Sequence, residues 1–431
     1  MRTHRGTAAA FNKDAWAALE SWEAGFDSQF SQLESELIAI RRHVHAHPEP
    51  SGLELETTQF VASRLEQAGM APRICENEDG QPTGLVADLE IGEPAAACPR
   101  VAIRADLDAL RMPDGKTVSY ASKTPGVAHA CGHDAHTAIT LGIALAATGI
   151  RPSTTGSDVS GLRLRFVFQP AEETSIGARW MVDQGAVEGV DAIIGLHVDP
   201  ERETGHVGIR YGVLTANCDE VEIVVAGHGG HAARPHHSVD PIAAAAHLVG
   251  ALYKFLPRSI DSRTPAVFTV GQIAGGYAAN VIPERVELRG SLRTTDAGSR
   301  RTQQDRILQI CAGVAQNSGA AIDARFLSPL KSVDNHLEIT AALEAASRRV
   351  VGMENVDIID RPSMGGEDFS VYLDKVPGAL LRLGCADGCE DAAFLHSPLF
   401  DIDERALALG ARIVSRAALL LSLGFPNRTE G

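Results

Sequence analysis

Val101-Ala102-Ile103-Arg104-Ala105-Asp106-Leu107-Asp108 is the stretch on which the fold turns. A short apolar run ends abruptly in carboxylates, as expected of a buried strand that delivers acidic groups at its carboxyl end. The pattern recurs downstream. Leu162 to Phe168 runs into Gln169-Pro170-Ala171-Glu172-Glu173, and Ala192-Ile193-Ile194-Gly195-Leu196 runs into His197. Between these runs, the Ala-rich segment Thr137 to Thr148 reads as a buried helix closed by Gly149 and Pro152. Strands alternating with helices predict an α/β sheet that is at least partly parallel. Ligands of such sheets lie at the carboxyl ends of the strands, so the terminal acids and imidazole are expected to converge.

Upstream, Leu33, Leu37, Ile40 and Val44 form a helical stripe that stops before Pro48, and a second helix is expected from about Glu54 to Gly69. His43, His45 and His47 close the first of these helices, where imidazoles suit the helix dipole and need no metal. Residues 1–30 read as an Ala-rich extension. Downstream the pattern changes near Asn217. A strand at Asp219 to Ala226, a helix at Asp240 to Phe255, strands at Ala266 to Ile273 and Arg285 to Arg293, a helix at Ser299 to Asn317 and a strand at Ala321 to Leu327 spell β-α-β-β-α-β. That is the ferredoxin-like split unit. The expected organisation is a catalytic domain over 31–215 and 329–431, interrupted by a smaller domain over 216–328. The first domain resumes with a helix from His336 to Val351, a strand from Ala379 to Leu383 and a closing helix from Glu404 to Leu423.

A chain of 431 residues is long for one core, which agrees with two domains. The formal charge of −16, from 39 basic and 55 acidic residues, argues against nucleic acid as a partner. No apolar run is expected to span a membrane, and the basic first residues lack the apolar region of a signal peptide. The seven Cys are odd in number and scattered, which favours reduced thiols and a cytoplasmic location. Cys385 and Cys389 have no second pair of ligands nearby and read as a loop with free thiols.

The chemistry concentrates in His129-Ala130-Cys131-Gly132-His133-Asp134-Ala135-His136. A thiolate and an imidazole two residues apart are ligands that zinc and its neighbours prefer. With Glu173, His197 and His396 they form a set of five donors, too many for one four-coordinate catalytic ion that keeps an open position. Two divalent ions, Zn or Mn with Co or Ni as options, would use them naturally. Glu172 and Glu173 are adjacent and should point apart, so one can bind metal while the other handles the proton of an attacking water.

Six motifs stand in order: the His129–His136 stretch, Phe168-Gln169-Pro170-Ala171-Glu172-Glu173, Gly229 to His236, Asn280-Val281-Ile282-Pro283, Met364-Gly365-Gly366-Glu367-Asp368-Phe369 and Leu395-His396-Ser397-Pro398. Together they resemble the amidohydrolase branch of the dinuclear metallopeptidases. That branch includes hippurate hydrolase and hydrolases of N-acyl and indoleacetyl amino acids; aminoacylase and carboxypeptidase G are more distant relatives. The resemblance spans roughly residues 35–425. It implies a catalytic α/β domain interrupted by a lid that often mediates dimerisation. By motif, Cys131 takes the metal-bridging place, His133, Glu173, His197 and His396 the other ligand places, and Glu172 that of general base and acid. Asp108 matches an Asp that orients a metal-binding imidazole. Asp106 stands where the distant relatives carry a ligand His, and is expected to have lost that role. His231 matches an imidazole that meets the substrate from across a dimer, and Asn280 and Arg293 match positions near the substrate carboxylate. After Leu110 the chain departs from the pattern, reading Arg111-Met112-Pro113-Asp114-Gly115-Lys116.

The implied reaction is metal-dependent hydrolysis of N-acyl or N-aroyl amino acids by a homodimer, with a pKa near 6–7 suiting Glu172 to its work. A dipeptidase or an aminobenzoyl-glutamate hydrolase would use the same donors. A non-catalytic metal or ligand binder would have no need of a base beside them.

Overall fold

The computed structural model describes residues 13–150, 161–388 and 393–424. Pro152, Cys389 and the first twelve residues of the expected extension lie outside them. The chain divides into two units. One comprises Met1–Gly212, Asp334–Asp360 and Asp368–Gly431, the other Val213–Val333 with Arg361–Glu367. Most of the Met364 to Phe369 motif thus belongs to the second unit, whereas the sequence pattern assigns it to the first.

The first unit is built on an eight-stranded mixed sheet, in the order Arg73–Glu76, Pro82–Gly92, Gly161–Gln169, Arg100–Asp106, Ala192–Glu203, Gly378–Ala386, Val207–Ile209 and Val356–Ile358. The central strands, from Gly161–Gln169 to Gly378–Ala386, pair in parallel. They read as near-continuous apolar runs because helices cover the sheet. Three adjacent parallel strands therefore end at one edge, and the acids and imidazole of the opening motif sit at that edge. The strand carrying His197 does not stop there but continues to Glu203. Its pairing with Arg100–Asp106 ends at Gly195, which leaves His197 beyond the last shared rung.

No separate extension ends at residue 30. One helix runs Lys13–Ala46, because Leu19, Trp22 and Phe26 continue the stripe of Phe30, Leu37, Ile40 and Val44, all of them buried. Glu23 locks its start, accepting from Arg349 at 2.6 Å and Arg416 at 2.8 Å. The closing helix Arg405–Gly424 also corrects an expectation: Arg405–Leu423 is long and apolar enough to cross a membrane by composition. Its side chains from Ala406 to Leu421 instead supply much of the hydrophobic core. Cys385 lies buried on the strand Gly378–Ala386 and not in a loop.

In the second unit four antiparallel strands take the order Ala266–Gly275, Arg285–Thr294, Asn217–Ala226, Ala321–Leu330. With the helices Pro241–Phe255 and Ala297–Ser318, the chain runs β-α-β-β-α-β, and the last strand pairs with the first. The apolar residues of one sheet face, Val221, Ile223, Val225, Val286, Leu288 and Leu292, form its core with Leu248, Leu252 and Ile307 of the helices.

Candidate metal centre

Gly132 makes the site possible. It precedes the helix His133–Thr148 at φ 85°, in the left-handed region that glycine enters without penalty. A Cβ there would lie 2.3 Å from Val198 Cγ2. The turn puts Cys131 just ahead of the helix and His133 on its first residue.

Hydrogen bonds then sort the imidazoles. His133 Nδ1 lies 3.0 Å from the Asp108 carbonyl and 3.1 Å from its Oδ1, so it must donate. His197 Nδ1 donates to the Val198 carbonyl at 2.7 Å. Both rings therefore present an Nε2 lone pair, the arrangement typical of metal-binding histidines. His136 is different. Its Nε2 accepts from the Val198 amide at 3.0 Å, leaving Nδ1–H to bond Asp106 Oδ1 at 2.6 Å. Both its nitrogens are used, so it is a strut and not a donor.

Two of the groups that the open donors form overlap at one residue. Cys131, His133 and His197 offer ligand atoms within 4.8 Å of one another, and so do Cys131, Glu173 and His396. Cys131 is common to both, with its Sγ 3.5 Å from His197 Nε2. His396 Nε2 lies 3.5 Å from Glu173 Oε1. Its backbone, at φ 62°, is held by the His396 amide, which donates to the Ala130 carbonyl at 2.7 Å. Glu172 Oε2 and Glu173 Oε1 each stand 3.9 Å from His133 Nε2.

These residues suit divalent cations. His133 Nε2 and Glu173 Oε1 are buried with no hydrogen-bond partner, a costly state unless something positive lies between them. Burial pushes the Cys131 thiol and the Glu173 carboxyl up, so both anions need a cation to persist. Burial holds His197 well below the usual imidazole range, in the neutral form that binds metal. Burial also opposes charge on His133, yet Asp106 and Cys131 draw its pKa well above normal, which shows how strongly negative the cluster is.

Asp108 organises the surroundings. Besides His133, it accepts from the Glu173 amide at 3.0 Å and from Ser51 Oγ at 2.6 Å. Asp106 is fully buried and bonded to His136 and, at 2.6 Å, to Arg104 Nη1. Despite its burial, His133, Arg104 and His136 keep it well below the usual carboxylate range. Arg104 continues to Gln169 at 2.8 Å and to Asp368 at 3.1 Å. Asp368 also accepts from Gln169 Nε2 and the Ala178 amide, and its own amide lies 3.4 Å from Glu172 Oε1. The network of Arg104, Gln169 and Asp368 goes beyond what the residue pattern predicts. The only sequence signals were an arginine inside an apolar strand and a motif with no assigned task. His45, at 2.7 Å, and Arg41, also at 2.7 Å, both bond Asp134, as befits structural residues.

The second unit holds His231, Asn280 and Arg293. His231 Nδ1 accepts from the Ala233 amide at 3.0 Å, so the neutral ring carries its proton on Nε2. Asn280 is its neighbour: the Ala232 amide donates to the Asn280 carbonyl at 3.1 Å, and Val281 pairs with His231. Arg293 Nη1 donates to Cys218 Sγ at 3.1 Å and to the Met364 carbonyl at 3.2 Å.

The model of Peptidase family M20/M25/M40 matches residues 102–420. An N-acetylcysteine deacetylase of Bacillus subtilis (strain 168) is 36% identical over 390 residues, 89% of this chain and 96% of that protein. An IAA-amino acid hydrolase of Arabidopsis thaliana is 34% identical over 387 residues, 89% of this chain and 84% of that protein. Among solved structures, a Bacillus subtilis protein described as a dinuclear metal binding peptidase from the M20 family is 32% identical, with a TM-score of 0.76. The match covers 91% of this chain and 99% of that one.

Proposed function

From the premise that the chain belongs to peptidase family M20/M25/M40, as a metal-dependent hydrolase of amide bonds, we propose that its substrates are N-acyl amino acids. The products are a carboxylic acid and a free amino acid. One observation carries the reading: two donor groups share Cys131, and a second carboxylate, Glu172, stands beside them at His133. The names of the relatives, which act on N-acetylcysteine and on indoleacetyl conjugates, support acyl groups from acetyl to arylacetyl.

Cys131, His133, Glu173, His197 and His396 would hold two divalent ions, Zn or Mn, which polarise the amide carbonyl and acidify the attacking water. Glu172 takes the proton of that water and returns it to the amine nitrogen as the C–N bond breaks. Asp108 keeps His133 in the tautomer whose Nε2 is open. His231, with its proton on Nε2, is suited to donate to the developing oxyanion. Arg293, assisted by Asn280, supplies the local cation that an amino-acid carboxylate requires in so acidic a protein. A homodimer through the second unit is supported by its edge strand Ala266–Gly275, where Val267 and Ile273 are exposed. The free thiols suit a reducing cytoplasm.

The test is a hydrolysis screen of N-acetyl, N-benzoyl and indoleacetyl amino acids, with plain dipeptides alongside, in Zn, Mn and Co. Turnover of the acyl amino acids above the dipeptides supports the reading, and a preference for dipeptides removes it.

A further inference from the structure

We propose that Glu54 is a positioning residue for the Pro170–Glu173 loop: its buried carboxyl holds Ala171 in the left-handed backbone from which Glu172 is aimed, while the Glu173 amide is held separately by Asp108. The inference rests on the reading of Glu172 and Glu173 given above.

A carboxyl group removed from water needs compensation, and Glu54 is fully buried. Its Oε1 accepts from the Ala171 amide and from the Gly52 amide, each at 2.8 Å. Ala171 has φ 52°, a conformation that a residue with a Cβ adopts only when its surroundings impose it. The next residues are the two glutamates of the site. The far side of the loop is closed as well. The Gly177 amide donates to the Ala171 carbonyl at 3.1 Å, and a Cβ on Gly177 would lie 1.6 Å from the Pro170 carbonyl oxygen. The loop is thus gripped by its own continuation on one side and by Glu54 on the other.

The segment around Glu54 reaches the site a second time. Ser51 Oγ bonds Asp108 Oδ2, the same oxygen that accepts the Glu173 amide. Residues 51–54 therefore set both the carboxylate that orients His133 and the backbone that aims Glu172. The segment is itself anchored, because the Glu49 carboxylate accepts from the Thr57 amide and hydroxyl, each at 2.8 Å, at the start of the helix Leu55–Gln67. Burial, with Asp108 nearby, pushes Glu54 up to about 8, so Gln is a close mimic of its neutral form.

The experiment compares Glu54→Gln, Glu54→Ala and Glu54→Ala with Ala171→Gly in the full metal-loaded chain, using an N-acetyl amino acid as substrate. Glu54→Ala should lower kcat about 10²-fold, the scale of a misaimed catalytic group, with KM and metal content unchanged. Glu54→Gln should retain most of kcat. Adding Ala171→Gly should recover on the order of tenfold, because glycine takes a positive φ unaided. Independently of turnover, amide hydrogen exchange at Ala171 should quicken by about tenfold or more in Glu54→Ala, with the central strands unchanged. If Glu54→Ala does not fold, Glu54→Asp, whose carboxyl is drawn back by one methylene, takes its place with the same ordering. Full kcat in the alanine variant, a loss that tracks metal content, or unaltered exchange at Ala171 would each overturn the proposal. An active Glu172→Gln would instead remove the reading of the catalytic pair, and the exchange measurement would still judge the bond between Glu54 and Ala171.

Discussion

The two units present their polar residues in opposite ways. In the first, three of the five donors, Cys131, His133 and His197, are buried while His396 is exposed, and the Nδ1 hydrogen bond on each buried imidazole leaves Nε2 open. In the second, His231 and Asn280 are exposed and held mainly through backbone pairing, and Arg293 is half-buried. Burial and fixed tautomers suit ligands that must never relax, because a dry, preorganised set of donors lowers the cost of capturing a cation. Exposure suits groups that must exchange water for substrate at every turnover. The contrast predicts that changes in the first unit act on metal and kcat, and that changes in the second act on substrate or its transition state with metal content intact.

The largest effects should follow metal removal. Dialysis against a chelator should abolish turnover, and protein reloaded with Zn or Mn should approach two ions per chain by elemental analysis. Cys131→Ala should weaken both ions, because its thiolate belongs to both donor groups. A content that never exceeds one ion under metal excess would end the two-ion reading.

Glu172→Gln comes next. It should keep metal and fold while kcat falls by about 10²–10⁴-fold, or further, because one group serves both proton transfers. Near-normal kcat would reduce Glu172 to another wall residue.

His231→Ala tests whether the exposed unit also joins the chemistry. A lost oxyanion donor costs about 10²–10³-fold in kcat, with metal content intact. His236→Ala and His237→Ala, in the same segment, should matter far less. If the imidazole comes from a partner subunit, mixing inactive His231→Ala with inactive Glu172→Gln should restore part of the activity through hybrid dimers. No recovery despite subunit exchange would mean that each chain completes its own site.

The contrast between the units also explains what could be read from the sequence. Apolar runs ending in Asp106, Gln169 and Leu196 disclose the central strands, and motif spacing discloses the donors, because both are local patterns. What the sequence hides is pairing at a distance. Glu54 and Ala171 are 117 residues apart, and nothing near Glu54 marks it as more than the start of a helix. Arg104 looks like an interruption of its strand until Asp106, Gln169 and Asp368 surround it. The edge strand Arg73–Glu76 and its neighbour Pro82–Gly92 leave little mark in the sequence, because one is short and mostly exposed and the other starts at a proline and contains a glycine at positive φ. The Ala-rich start of the first helix concealed an apolar stripe of Leu19, Trp22 and Phe26 that only packing reveals.

The smallest predicted effect tests the contrast most sharply. Arg293 Nη1 rests on Cys218 Sγ and the Met364 carbonyl, both within the second unit. The thiol is neutral, because burial raises its pKa, and so it acts as a weak acceptor that orients the guanidinium. Cys218→Ala removes that acceptor and leaves the carbonyl. A hydrogen bond from a guanidinium to so weak an acceptor is worth about 0.5–1 kcal/mol, which corresponds to a two- to fivefold rise in KM. If Arg293 only binds the substrate carboxylate, the loss falls equally on ground state and transition state, so kcat and metal content should not change. Arg293→Ala should raise KM further in the same direction, by about ten- to a hundredfold, because it removes the charge itself. A fall in kcat with unchanged KM in either variant would show that Arg293 acts in the transition state. Within the second unit, substrate binding and chemistry would then no longer divide between Arg293 and His231.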